Sequence, residues 1–130
     1  MDKLELYKCS ICGNIIEVVI NGGGELVCCG QSMVKLKTNH DEETIMEKHV
    51  PVVSRGENGE TEIRVGEILH PMTNEHYIMF IECISNDSNE VIRKYLYPGE
   101  EPKMFTHKSP DEIYAIEYCN IHGLWGTKND

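Results

Sequence analysis

Six cysteines and six histidines in 130 residues are the side chains whose spacing could do chemistry, and most of them fall into two groups. The first group is Cys9-Ser10-Ile11-Cys12-Gly13 and Cys28-Cys29-Gly30, with fifteen residues between Cys12 and Cys28. A Cys-x-x-Cys-Gly knuckle points two thiolates from one tight turn at one cation, and the glycine relieves crowding where amides approach the sulfurs. Cys28 and Cys29 supply two more thiolates. The bland alternative is four inert buried thiols, but four paired cysteines in so small a stretch argue for a metal. Zinc and iron both accept a tetrahedral four-thiolate site. Zinc ribbons usually space their second pair, whereas adjacent cysteines must splay to reach one ion.

The second group is spread through the rest of the chain. His49 follows Glu47-Lys48, His70 and His76 bracket Pro71-Met72-Thr73-Asn74-Glu75, and Cys119-Asn120-Ile121-His122-Gly123 comes near the end. Taken singly, each histidine reads as solvated or hydrogen-bonded. Together they are four imidazoles and one thiolate, each histidine beside a turn or strand end where the loops of a β-structure converge. Cys119-x-x-His122 is the sharpest part, because that spacing can direct both groups at one ion. Outside the two groups, His40 and His107 read as solvated and Cys83 as a core thiol on the strand face of Tyr77, Met79 and Ile81. Trp125, just after the second group, either covers that site or plugs the sandwich, and packing is favoured.

The elements that must position these groups are mainly β. Thr61, Ile63 and Val65 alternate with Glu62 and Arg64, and the stretches 76–84, 91–97 and 112–119 are rich in Ile, Val, Tyr and Phe. Turn-forming residues separate them at 56–59, 86–89, 98–99 and 109–111. Short strands at this spacing predict an immunoglobulin-like β-sandwich. Helical periodicity is confined to 42–48. Residues 1–37 hold four cysteines, the strand-like runs 15–20 and 33–36 and the triplet Gly22-Gly23-Gly24. That is too little apolar surface to fold without a metal, a disulfide or a partner chain. The expected organisation is therefore a metal-binding module over 1–37 and a β-sandwich over 38–130, joined by the polar stretch 38–43.

The formal charge of −10 argues against nucleic acid and anionic membranes, which bind clustered Lys and Arg. An anionic substrate would need a local positive site inside that field. No apolar run approaches 18 residues and no apolar leader follows Met1, so the chain is expected in the cytoplasm, with its cysteines as thiols or ligands.

The first group resembles desulforedoxin, an iron–tetrathiolate electron carrier, which favours iron over zinc. The segments around His49, His70, His76, Cys119 and His122 resemble the catalytic domain of superoxide reductase, so nearly the whole chain is similar to the two-iron desulfoferrodoxin family. The resemblance implies two non-haem irons per chain. One sits on Cys9, Cys12, Cys28 and Cys29. The other is held by His49, His70, His76 and His122 in a plane, with Cys119 axial. It implies one-electron reduction of superoxide to hydrogen peroxide, Glu47 as a sixth ligand in the oxidised state and a rubredoxin-type electron donor. A homodimer would stabilise the small module. Such a ligand set suits the chemistry: ferrous iron with neutral imidazoles and one thiolate is net positive, and an axial thiolate pushes electron density toward bound oxygen. Lys48, next to His49, is expected to guide superoxide in. Two other readings stand beside this one. A cupredoxin-like electron carrier would need an axial Met after His122, and Met104 is the last methionine. A non-catalytic zinc-binding adaptor would hold zinc at both groups.

Overall fold

The computed structural model describes residues 3–40, 49–66 and 69–127. It divides into two compact units, Met1–Lys37 and Thr38–Asp130.

In the first unit, β1 (Leu6–Lys8) pairs antiparallel with both β2 (Ile15–Glu17) and β5 (Val34–Lys35). A separate hairpin joins β3 (Val27–Cys28) to β4 (Gln31–Ser32). Only Leu6, Cys9 and Val18 are buried hydrophobics among its described residues, far short of a self-supporting core. The run expected to extend to residue 20 stops at Glu17. Val18 still bonds the Glu5 carbonyl, but Val19 and Ile20 are exposed.

The second unit is a seven-stranded sandwich. One sheet has the order β10-β7-β6 and the other β12-β11-β8-β9, where β6 is Pro51–Arg55, β7 Thr61–Val65, β8 Ile78–Ser85, β9 Val91–Tyr95, β10 Lys103–Thr106, β11 Ile113–Cys119 and β12 Gly123–Gly126. All pairings among its described strands are antiparallel. On β7 the period-2 alternation holds, with Thr61, Ile63 and Val65 fully buried and Glu62 and Arg64 between them. The core between the sheets gathers Ile63, Val65, Ile78, Ile81, Cys83, Leu96, Met104, Ile113, Ala115 and Cys119. Cys83 is thus a core thiol, and burial pushes its pKa up. Its expected strand companions are partly different. The register slips between Tyr118 and Cys119, so that Cys119 faces Ile78 and Met79 becomes the extra residue of a bulge. Ile78 therefore joins the core where unbroken alternation would have placed Tyr77 and Met79.

Strand polarity brings one end of the sandwich together. Pro51 at the start of β6 faces Val65 at the end of β7, and Ile78 at the start of β8 faces Cys119 at the end of β11. The residue pair before β6, the β7–β8 loop and the β11–β12 turn therefore meet there. The helical periodicity at 42–48 lies outside the described residues. Among those residues, no helix is long and apolar enough to cross a membrane.

Candidate metal centres

In the first unit the four cysteine sulfurs lie within 4.8 Å of one another. Cys9 leaves β1 into a tight turn, closed by the Gly13 amide on the Cys9 carbonyl (3.0 Å) and the Cys9 amide on the Asn14 carbonyl (2.9 Å). The turn aims the Cys12 amide at the Cys9 sulfur, 3.5 Å away. Amides of Cys12 and Ile11 hold the Cys9 thiol down at about 6, stabilising a thiolate there. Cys29 and Gly30 are the two central residues of the β3–β4 hairpin, with φ of 54° and 78°. Left-handed geometry at both is what a two-residue primed turn demands. It is also how neighbouring cysteines come to face one point, with their sulfurs 3.9 Å apart and Cys28 3.5 Å from Cys12. Crowding by these sulfurs, Cys12 foremost, pushes the Cys28 thiol up to about 12. Four thiolates this close repel one another unless a cation neutralises them, so the donor set fits a thiolate-bound metal.

In the second unit the ligand atoms of His49, His70, His76, Cys119 and His122 also lie within 4.8 Å of one another. Two donors on opposite sides of one ion, each at about 2.1 Å, would be about 4 Å apart, so the group has the span of a single site. Successive ring centroids are 4.6 Å (His49–His70), 4.5 Å (His70–His76), 5.1 Å (His76–His122) and 4.7 Å (His122–His49). The His49–His76 separation is longer, 6.3 Å. A tetrahedral cluster would equalise these distances, and a longer diagonal marks four rings set around a flattened square. The Cys119 sulfur sits 3.6 Å from His70 Nε2 and 3.9 Å from His122 Nδ1.

Local structure fixes each ring. His70 Nδ1 lies 2.7 Å from the Pro71 carbonyl, which makes Nδ1 the protonated nitrogen and leaves the Nε2 lone pair facing the sulfur. Thr73 and His76 close a small turn through reciprocal backbone bonds and the Thr73 hydroxyl. Asn120 ties that turn to the β11–β12 turn. Its side chain accepts from the Tyr77 amide (2.9 Å) and donates to the Glu75 carbonyl (3.1 Å). His49 and His70 are buried, whereas His76 and His122 are half-buried and give the group a side toward solvent.

The fit to a metal has a direct sign. Both ring nitrogens of His49 and Nε2 of His76 are buried without a hydrogen-bond partner. Such orphans are expensive unless something fills them. Burial, then the neighbouring imidazoles, pushes His49 down to about 3, so it stays neutral and able to donate a lone pair.

Both units match known families. Residues 41–128 match the family described as "Desulfoferrodoxin", and residues 1–36 match "Desulfoferrodoxin, N-terminal domain". The chain belongs to the desulfoferrodoxin family. It is 48% identical over 124 residues to a desulfoferrodoxin homolog of Archaeoglobus fulgidus, covering 95% of this chain and 96% of that one. The superoxide reductase of Pyrococcus abyssi is 37% identical over 95 residues, covering 61% of this chain and 83% of its own. In fold, the chain is similar to the superoxide reductase from Treponema pallidum, with a TM-score of 0.72 over 97% of this chain and 98% of that one at 24% identity.

Glu47 and Lys48 lie outside the described residues. His107 is exposed, as is His40, although His40 Nδ1 approaches the Gly126 carbonyl at 3.3 Å. Two further residues border the second centre, and the sequence singles out only one of them, Trp125. Glu117 is fully buried, with its carboxylate 3.7 Å from His49 Nδ1. That is too long for a hydrogen bond, and with His49 neutral it is no ion pair. The signal was there: Glu117 stands two residues before Cys119 on an otherwise apolar strand, and period 2 puts both on one face. Trp125, for which packing is favoured over covering the site, stacks on the His49 ring at 5.0 Å.

The His49 shift predicts a pH dependence of the metal-free protein. With a folded-state value near 3 and an unfolded one near 6.5, only the unfolded chain takes up this proton between those limits. Stability should therefore fall on acidification through that window, by at most about 1.4 kcal/mol per pH unit from this group. Urea unfolding of metal-free protein at pH 7 and 5 measures it. His49→Asn, which cannot titrate, should flatten the slope, and an unchanged slope would count against His49 as its source.

Proposed function

We propose that the chain is a superoxide reductase with two non-haem irons, one on Cys9, Cys12, Cys28 and Cys29 and one on His49, His70, His76, His122 and Cys119. The observation that carries this is the second group: four imidazoles around a flattened square and one buried thiol, with a solvent side at His76 and His122. The name of the Pyrococcus abyssi relative supports the same substrate. The iron would supply one electron to superoxide, and with two protons from water the product is hydrogen peroxide, with no dioxygen evolved.

The chain's own residues do the rest. Neutral imidazoles leave a ferrous centre with one thiolate net positive, so it attracts a small anion despite the chain's charge of −10. Pro71, through His70, holds one imidazole in a single tautomer. Glu47 would be a further holder of the metal once it is oxidised. Units 1–37 and 38–130 act as the desulforedoxin-like module and the catalytic domain. A rubredoxin-type donor returns the electron, in the cytoplasm. A homodimer is supported by the exposed Ile11, Val19, Ile20, Val27 and Val34 of the first unit, a heavy apolar load for so small a surface. A cupredoxin site needs only three strong ligands, two fewer than gather here.

Metal analysis and product stoichiometry test the whole reading. Iron at both centres, and one peroxide formed per superoxide consumed by pre-reduced protein, is the expected result. Two zinc ions and no iron per chain would make the protein an adaptor instead.

Lys48 is assigned to guide the substrate. A unit charge about 6 Å from the anion contributes roughly 3 kcal/mol at an effective dielectric of 20. Screening reduces this to about 1–2 kcal/mol, or a fivefold to thirtyfold change in rate. Lys48→Ala should slow the bimolecular step by about that factor and weaken its salt dependence, while Lys48→Arg stays near normal. Pulse radiolysis at several salt concentrations reads both, and equal rates with equal salt slopes would make Lys48 an ordinary surface charge.

A further inference from the structure

We propose that Trp125 is a positioning residue of the second metal centre, setting the plane of the His49 ring and holding the turn that carries His122. The proposal rests on the reading of that centre as a metal site. His49 needs such a holder. Its two nitrogens have no hydrogen-bond partner, the Glu117 carboxylate standing 3.7 Å off, whereas His70 is oriented by the Pro71 carbonyl, so the rotation of the His49 ring depends on what packs against it. Trp125 supplies a flat wall for it, with centroids 5.0 Å apart and planes 20° from parallel, within the range of favourable offset stacking. The other rings against His49 are themselves candidate ligands, His70 at 54° and His122 at 63°.

The same indole reaches the other side of the group. Its single N–H donates to the His122 carbonyl at 3.0 Å, across the turn that leads from Cys119. One side chain thus touches the first and the last histidine of the set, neighbours in the square at 4.7 Å.

Trp125 is itself held firmly. It lies opposite Glu117 in the β11–β12 register, so carboxylate and indole form two sides of one seat around His49. On its other edge β12 is pinned by Asn39, whose amide and side chain both donate to the Leu124 carbonyl and whose carbonyl accepts from the Gly126 amide. A tryptophan that merely filled the sandwich would belong to its central cluster. Trp125 is buried outside that cluster, against the histidines.

Trp125 is also the chain's only tryptophan, so its fluorescence should report filling of this centre, because a transition metal so close quenches an excited indole. The test uses full-length protein stripped of metal and titrated anaerobically with ferrous iron. Wild type should show quenching as the second equivalent binds. Trp125→Phe keeps a stacking ring but loses the N–H and should bind that equivalent about tenfold more weakly. Trp125→Leu loses both and should bind about a hundredfold more weakly, the range seen when groups behind metal ligands are removed. In both variants the visible band of the oxidised second centre should shift, with tetracysteine absorption unchanged as an internal control. Wild-type affinity and band position in the variants would overturn the proposal even if their melting temperature fell. Should Trp125→Leu fail to fold, Trp125→Phe decides by the same criteria. Uptake of the second equivalent without quenching would overturn the placement of Trp125. A wild type that takes up no iron beyond the tetracysteine equivalent would instead sink the metal-centre reading itself.

Discussion

Cys119→Ser is expected to abolish superoxide reduction and to erase the thiolate charge-transfer absorption of the oxidised protein. Cys119 ends β11, is fully buried, and has its sulfur against His70 Nε2 and His122 Nδ1. Serine is nearly isosteric and keeps the β11 register, so the change falls on the donor atom and not on the fold. A hydroxyl donates far less electron density than a thiolate, and that density is what would favour electron delivery to superoxide. Losses behind metal ligands already cost about tenfold to a hundredfold, and loss of the only sulfur donor should exceed about a hundredfold in turnover. Visible spectroscopy and pulse radiolysis of the pre-reduced variant measure the two effects together. A folded Cys119→Ser protein retaining both band and rate would show that this sulfur does not bind the metal.

Cys28→Ser should have an equally large effect confined to the other unit. Cys28 is central among the four thiols, 3.5 Å from Cys12 and 3.9 Å from Cys29. The unit buries only Leu6, Cys9 and Val18 among its described hydrophobics, so metal binding supplies much of its folding free energy. The variant should lose the tetracysteine colour and one iron per chain, and residues 1–37 should become accessible to protease. Superoxide reduction by pre-reduced protein should remain within about twofold of wild type, because sites with no shared partners respond independently and every ligand assigned to the second centre lies in the other unit. Loss of that activity in a protein whose 38–130 unit is still folded would mean that the centres are not separable.

Much of this was legible in the residues. The Cys9-Ser10-Ile11-Cys12-Gly13 knuckle and the Cys28-Cys29 pair named their own chemistry, since nothing else explains four thiols in a stretch with so few apolar residues. Alternation along Thr61–Val65 marked a half-buried strand, because period 2 is a local property of the backbone. Other features were not local. The bulge that puts Ile78 opposite Cys119 depends on β8 and β11 pairing across 41 residues of sequence, and it reverses which side chains near residue 78 face the core. How adjacent cysteines converge followed from left-handed φ at Cys29 and Gly30, a demand of the β3–β4 hairpin that neither residue type announces alone.

Residue types and spacing along the chain determined which side chains could bind metal, that they form two groups, and that strands and turns must carry them. Only the tertiary structure decided that the β6 start, the β7–β8 loop and the β11–β12 turn share one end of the sandwich, that four rings form a flattened square, and that Glu117 and Trp125 seat His49. The reason is physical: ligand identity is a property of single side chains, whereas ring orientation and burial come from strand pairing and packing between residues far apart in sequence.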